Sequence, residues 1–326
     1  MLDAPAECLS YGYDVASASG VRVLVVSGPC VGRWGVRFVG ESTSNSGLQI
    51  AGVSQKEIDM STDLVVVLFL TAFVHILTTM SYAMWIVGTR THRIAISFSL
   101  FNLIVILTRT ANTFQAPLLA KHVELGILNQ SIGADEFSFR LILLVASAAT
   151  IMGAFLIPTF QRIMVRAVEY FAEIKSVPKL LASGISRSGL SYLLKSLSFP
   201  RRENIYQLRQ AESVPIRILV MNALAVAVLS VGFLSSLYAA YLNPELRATS
   251  ANMAAVITGL ATVLLFVFVD PYLSMLTDEH VSGSVNTAIF RQRIVFLAGS
   301  RFVGTVIAQL LLIPASWFIV NIAAII

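Results

Sequence analysis

Six apolar runs fill most of the chain after residue 60, and each is close to the ~20 residues that a helix needs to cross a hydrocarbon core. Backbone groups inside lipid find no water, so a spanning segment is a helix unless strands close into a barrel. These runs are too long and too continuous for barrel strands. The pattern therefore predicts an all-α polytopic membrane protein with about six transmembrane helices. The predicted spans are Leu64–Val87, Ile94–Gln115, Leu141–Val165, Ile216–Leu242, Met253–Leu276 and Ile294–Ile319.

The low charge content agrees with a membrane protein, and the position of the basic residues indicates what kind of partner they bind. Only 13% of the residues are charged, whereas soluble proteins carry about 25%. The net charge is +5, and the basic residues cluster beside the apolar runs. That placement favours anionic lipid headgroups as their partner and argues against nucleic acid.

The distribution of lysine and arginine predicts the orientation of the spans. The connections after the first, third and fifth spans hold fourteen of these residues, with the third counted from Arg162 to Arg217, and the loops after the second and fourth hold three. Cytoplasmic loops carry the excess of positive charge. Both termini are therefore predicted to lie outside the cell. The most basic connection, between the third and fourth spans, is predicted to be cytoplasmic.

Residues 1–59 have a different composition from the rest of the chain. They are rich in Gly, Ser and Ala and show no sustained hydrophobic period. The stretch Val21–Val26 is strand-like, but the glycines after it fit no phosphate-binding fingerprint. We expect a disordered extension, or a mis-annotated one with the true start at Met60. Residues 60–326 are then the six-helix transmembrane domain.

The long basic connection contains an amphipathic stretch, Val177–Pro200. Leucine and isoleucine alternate there with Lys179, Arg187 and Lys195 at near-helical spacing. Such a segment is typical of helices that lie on the inner leaflet with their cations toward lipid phosphates. The alternative is a solvated loop with short helices, and the interfacial interpretation is the one we favour.

The second span carries an arginine well inside its apolar run. Arg109 lies fifteen residues into a span of about twenty-two, roughly 22 Å from the inner end and on the outer side of the midplane. On a helical wheel Ser99, Asn102 and Thr113 fall in the same narrow sector, with Asn112 at its edge. A charge at this depth is costly and usually functional. We expect Arg109, Asn102 and Asn112 to bind an anionic substrate, although structural contacts between helices remain the alternative.

Polar residues also interrupt the last two spans. Asp270 precedes Pro271 near the inner end of the fifth span, and Arg301 and Gln309 lie in the sixth. Arg301 and Gln309 are further candidates for substrate binding, because guanidinium matches phosphate oxygens in a bidentate fork. Asp270 could carry a proton, pair with Arg109 or Arg301, or be a charge near the interface. His75 in the first span is more typical of helix packing than of ligand binding.

Motifs for covalent chemistry are missing from the sequence. No GxxxxGK[ST], HExxH or GxSxG occurs, and the four histidines are scattered. The sequence therefore predicts no catalytic residues, no metal site, no cofactor and no enzymatic activity.

Three stretches resemble a known family. They are TRTHRIAISFSLFNLIVILTRTANTFQAPLLAK in and around the second span, VDPYLSMLTDE in the fifth, and GTVIAQLLLIP in the sixth. Together they resemble the Amj family, whose name means "alternate to MurJ" and whose members are bacterial lipid II flippases. The similarity extends from about Met60 to the C-terminus. It contributes no substrate-contact residues, so the candidates above rest on the physics of their positions.

This resemblance implies a multi-pass protein of the bacterial cytoplasmic membrane. Its function would be to move lipid II, the undecaprenyl-diphosphate-linked peptidoglycan precursor, from the inner to the outer leaflet. Alternatives are a flippase for another polyprenyl phosphate or anionic lipid, and a non-transporting scaffold that docks cell-wall synthesis enzymes.

Overall fold

The computed structural model describes residues 62–128, 132–198 and 214–326. The expectation for residues 1–59 therefore lies outside the part of the chain that it covers. We number ten α-helices in chain order: α1 Thr62–Met80, α2 Ala83–Thr91, α3 Ile94–Leu128, α4 Ile132–Ile174, α5 Val177–Ile185, α6 Arg187–Lys195, α7 Ile216–Leu242, α8 Arg247–Leu264, α9 Asp270–Val281 and α10 Thr287–Ile325.

Six segments of the described chain are long and apolar enough to cross a membrane, which confirms the predicted six-span helical protein. The first is α1 together with α2, and the fifth runs from Pro244 through α8 and α9 to Val281. The other four are the long helices α3, α4, α7 and α10. The orientation of the termini and loops stays a prediction.

The spans are longer than their apolar cores. The sequence predicts that the second span ends at Gln115, but α3 continues through Pro117 to Leu128, so that boundary is wrong. Proline removes one backbone hydrogen bond and does not oblige a long helix to stop. Beyond it, Leu119 and Val123 are buried in the bundle core, and their packing keeps the last turns helical.

The first span bends at Ser81 and Tyr82, between α1 and α2. Hydrogen bonding continues through the bend, because the Ser81 amide donates to the Leu77 carbonyl and the Met84 amide donates to the Ser81 carbonyl, both at 2.9 Å. The bend leaves the Tyr82 side chain buried inside the bundle.

A tight turn joins the first two spans. His92 adopts a positive φ of 54° and ends α2. A Cβ on Gly88 would lie 3.2 Å from the Cβ of Ser97 on α3, so the two helices approach closely. The Ser97 hydroxyl donates to the Met84 carbonyl at 2.6 Å, which fixes the first turn of α3 against α2.

Three buried clusters hold the spans together. One joins α1, α3, α4, α7 and α10 around Phe139 and Tyr238. A second joins α2, α9 and α10 around Phe290 and Leu276. The third packs α2 against α3, α4 and α10 around Met84 and Phe160.

The basic stretch after the third span forms the two short helices α5 and α6. Lys179, Arg187 and Lys195 are all exposed. The Thr159 hydroxyl on α4 donates to the Ser198 carbonyl at 3.0 Å and accepts from the Ser198 amide at 2.9 Å. These bonds tie the residues after α6 to α4. Pro200 lies outside the described residues.

Candidate substrate-binding residues

Arg301 of α10 is buried inside the helix bundle, with 8% of its surface exposed. Its Nη2 atom donates to the hydroxyl of Thr78 on α1 at 2.9 Å. The guanidinium carbon lies 5.9 Å from the centre of the Tyr82 ring, a cation–π distance. In the part of the chain that the structure describes, Nε has no hydrogen-bond partner and no carboxylate pairs with this arginine. Nε therefore remains an unused hydrogen-bond donor inside the bundle.

A buried amide organises the residues next to Arg301. Asn222 of α7 is fully buried and accepts a hydrogen bond from the Tyr82 hydroxyl at 3.0 Å. Its own amide group donates to the Leu297 carbonyl at 3.0 Å and to the Ser300 hydroxyl at 2.7 Å. Three spans thus meet at one side chain, which fixes the Tyr82 ring beneath the guanidinium.

These supporting residues were missed in the sequence analysis. Asn222 stands as one polar group in an apolar run, and that signal was available, whereas Tyr82 follows Ser81 in a more polar stretch. Their connection to Arg301 was not available from the sequence, because it joins residues far apart in the chain. His75 contacts the Thr150 hydroxyl of α4 at 3.4 Å, which fits the packing role expected for it.

Two side-chain hydrogen bonds determine which face of α3 points inward. Ser97 bonds to the Met84 carbonyl, and Gln115 donates to the Thr71 hydroxyl of α1 at 2.9 Å. Ser97 and Gln115 are eighteen residues apart, which is five turns, so both lie on the same helix face. Both are buried. The rotation of α3 about its axis is therefore fixed at two levels.

A second group of polar residues on α3 points away from this inward face. At about 100° per residue, they are turned by about 120° or more from the face that Ser97 and Gln115 share, except Asn112, which is turned by about 60°. Each member is exposed: Ser99, Asn102, Arg109, Thr110 and Thr113, with Asn112 exposed at the edge. We call these six residues the α3 seam. The α3 seam contains the residues that the helical wheel places together, with Thr110 in addition, and it lies on the outer surface of the bundle.

Arg109 and Arg301 lie at about the same depth along the bundle. The helices α1 and α3 are antiparallel, and the hydrogen bond between Gln115 and Thr71 marks a depth in the bundle that both helices share. Arg109 is six residues, about 9 Å, from Gln115 toward the start of α3, and Thr78 is seven residues, about 10 Å, from Thr71 toward the end of α1, which is the same direction. Since Arg301 bonds to Thr78, the two cations are level, one inside the bundle and one on its surface.

The other two candidates lie apart from both cations. Gln309 donates to the Arg140 carbonyl at 3.0 Å and thereby links α10 to α4. Asp270 is half-buried at the first residue of α9, directly after a π-helical turn at Leu265–Val269. Pro271 has no amide hydrogen to donate, and π turns often accompany functional sites. In the described chain Asp270 forms no ion pair with Arg109 or Arg301.

The arrangement supplies cation and hydrogen-bond contacts for an anion. Within the described ranges, no group of three His, Cys, Asp or Glu side chains could hold a metal ion. The two described cavities are almost wholly apolar. The larger, about 280 Å³, lies between α4 and α6 and includes Phe160, Leu193 and Leu197 in its lining. Neither cavity is lined by Arg301 or Arg109.

Comparison with known proteins identifies the family. The family model described as Amj, alternate to MurJ, matches residues 70–323. The protein named lipid II flippase Amj of Bacillus subtilis (strain 168) is 32% identical over 257 residues, which cover 78% of this chain and 95% of that protein. No solved structure matches the chain. All six spans fall largely or entirely within the matched region, so the chain belongs to the Amj family.

Proposed function

We propose that this chain is a lipid II flippase of the bacterial cytoplasmic membrane. It moves the undecaprenyl-diphosphate-linked precursor of peptidoglycan from the inner to the outer leaflet. The name of the Bacillus subtilis relative, similar over nearly all of its length, supports this substrate. Translocation makes and breaks no covalent bond, which fits a chain without a recognisable nucleophile and base.

The observation that carries the proposal is the buried, unpaired guanidinium of Arg301. The headgroup of lipid II holds a diphosphate, two sugars and a peptide, and each unsatisfied polar group costs several kcal/mol in hydrocarbon. A diphosphate needs a cation inside the membrane to offset that cost. Arg301 keeps an unbonded Nε beside a single hydroxyl contact, so its fork can donate hydrogen bonds to a pair of phosphate oxygens when the bundle opens.

Asp270 is the carboxylate that we assign to coupling. It has no counter-ion among the described residues, and it begins a helix at a proline and a π turn. Loss or gain of its charge would change how readily the fifth span bends at that point. Its role is to tune the rate of the cycle, whereas lipid II binding rests on the arginines.

The inner-leaflet helices supply a second, weaker lipid contact. Lys179, Arg187 and Lys195 of α5 and α6 are exposed, and each such charge near an anionic surface contributes about 1 kcal/mol. We propose that α5 and α6 lie on the inner leaflet and hold anionic lipids there. Cell-wall synthesis enzymes that approach from the cytoplasm would meet this same surface.

Growth of cells depleted of their own lipid II flippase tests the function. The full chain should restore growth, and Arg301→Gln should fail while reaching the membrane in normal amount. Arg301→Lys keeps the charge and loses the fork, so growth should be partial. Arg217→Gln is the matched control, because Arg217 is an exposed arginine near the start of α7.

Two outcomes would contradict the proposal in different ways. Failure of the full chain to restore growth, although it is inserted, would remove the lipid II assignment. Full growth with Arg301→Gln would keep that assignment and reduce Arg301 to a packing residue.

A further inference from the structure

Arg109 is exposed on a helix surface that faces lipid. Its side chain forms no hydrogen bond or ion pair with any residue that the structure describes. It lies fifteen residues from the start of α3 and nineteen from its end. The helix is about 51 Å long, which exceeds the ~30 Å hydrocarbon core, and Arg109 lies near its middle, inside the apolar part of the span. A charge left bare at this position is strongly unfavourable.

The α3 seam continues the polar surface on both sides of Arg109. From Ser99 to Thr113 it runs fourteen residues, about 21 Å along the helix. The hydroxyls of Thr110 and Thr113 donate to the carbonyls of Ile106 and Arg109, so their oxygens remain open as acceptors. The amide of Asn102 can both donate and accept. Such groups suit sugar hydroxyls and peptide amides next to a phosphate.

A second copy of the chain would not satisfy this surface. Two copies in one membrane share the same orientation, and a twofold contact brings the same patch of each against the other. Arg109 would then oppose Arg109 at the same depth. No Asp or Glu occurs on α3 before Glu124, so the seam has no carboxylate to compensate. Like charges at close range in a low dielectric repel strongly.

We propose that the α3 seam is the path of the lipid-linked diphosphate headgroup at the boundary between protein and membrane. This inference rests on the proposed function and adds the route; Arg301, at the same depth inside the bundle, is a separate anion contact and does not lie on this route. The headgroup slides along the outside of α3, its diphosphate held in the fork of Arg109 and its sugars on the seam, while the polyprenyl tail stays in the surrounding lipid. Lateral passage needs no enclosed cavity large enough for a disaccharide and peptide.

A photo-crosslinker placed within the seam tests the route. Ile106 lies among the seam residues and is 61% exposed, and Leu260 on α8 is equally exposed at 61%. Each position in turn receives a benzophenone amino acid in the full chain, and the proteins are reconstituted with radiolabelled lipid II. Irradiation should label the Ile106 protein and leave the Leu260 protein nearly unlabelled. Excess undecaprenyl diphosphate should compete, and neutral undecaprenol should not.

Arg109→Gln provides the decisive variant. Charged hydrogen bonds of this kind correspond to about a tenfold or larger effect on occupancy, so labelling at Ile106 should fall by at least that factor. Arg217→Gln should leave it unchanged. Gln is easier to insert than Arg, and gel filtration of the purified variant checks that it remains folded.

Each contrary result has a distinct meaning. Equal labelling at Ile106 and Leu260, or full labelling in Arg109→Gln, overturns the seam as the route, while flipping by the unmodified protein in the same vesicles leaves the proposed function standing. A crosslinked dimer in place of a lipid adduct also overturns it, in favour of a second copy. If the unmodified protein neither binds nor flips lipid II, the proposed function fails and the seam proposal fails with it.

Discussion

Gly304 on α10 packs directly against the carbonyl oxygen of Ala223 on α7. A Cβ atom added to Gly304 would lie 2.5 Å from that oxygen. Such a Cβ would also lie 2.9 Å from the Cβ of Val226. The backbones of the fourth and sixth spans therefore approach so closely that a side chain at position 304 would collide with α7. This contact lies one turn from Arg301, on the helix that carries it.

Gly304→Ala should destabilise the protein by about 1–3 kcal/mol, the usual cost of forcing an extra carbon into a packed interior. Gly259→Ala is the matched control, because nothing lies within 4 Å of its added Cβ. That change should be neutral or slightly stabilising, since alanine favours helix more than glycine does. Thermal unfolding of both purified variants in detergent measures the difference. Equal midpoints would show that the two spans can separate at no cost.

Asn222→Ala should lower stability by about 2 kcal/mol, because it removes three buried hydrogen bonds and leaves their partners unsatisfied. Tyr82→Phe removes one of them and should cost about 0.6 kcal/mol, the average for such bonds between membrane helices. Thr262→Val is the control, since the Thr262 hydroxyl bonds only within its own helix. Thermal unfolding midpoints rank the stability losses of the three variants. A loss of stability in Tyr82→Phe as large as that in Asn222→Ala would contradict the expected order.

The orientation of the spans can be read by cysteine labelling. In a background with Cys8→Ser and Cys30→Ser, a membrane-impermeant thiol reagent should reach a cysteine at Asn243 or at Ile326 from outside intact cells. It should reach a cysteine at Ser188 only after the cells are opened. The expectation follows from fourteen basic loop residues on one side against three on the other. Labelling at Ser188 in intact cells would invert the topology.

Asp270→Asn should leave lipid II binding intact and flatten the pH dependence of the flipping rate. Asparagine is neutral at every pH, so any step that depends on the charge of residue 270 loses its pH response. Asp278→Asn is the control, because Asp278 is exposed on the same helix. Flipping by reconstituted protein across a pH series provides the measurement. An unchanged profile in Asp270→Asn would exclude this carboxylate from the cycle.

A chain that begins at Met60 should restore growth as well as the full chain does. The match to the family runs over residues 70–323, which lie inside that shortened chain. Growth of flippase-depleted cells and membrane amounts of both forms are compared. A shortened protein that is stable in the membrane but inactive would make residues 1–59 part of the function.

Hydropathy was sufficient to predict the six spans, because lipid leaves a long apolar segment few alternatives to the helix. It was not sufficient for the direction of the α3 seam. The wheel grouped Arg109 with Asn102 correctly, but a polar face can point into a bundle or out of it. The hydrogen bonds of Ser97 and Gln115 to other helices decide between the two. Those partners belong to the tertiary structure and leave no local pattern.

Long-range partners explain the other differences. Thr78 and Arg301 are 223 residues apart in sequence, so no window of sequence relates them. The end of α3 was placed too early for a related reason. Pro117 is a local signal to stop, and it is overridden by core packing of Leu119 and Val123 beyond it.

An arginine exposed on the middle of a membrane-facing helix also acts on the bilayer itself. It draws water and lipid phosphates inward, and the membrane thins locally around it. Ordinary anionic phospholipids beside α3 therefore meet a lowered barrier between leaflets. The protein should scramble them slowly even when no lipid II is present. Selectivity must then come from the sugars and peptide of the headgroup, because the phosphate contact alone does not distinguish one lipid from another.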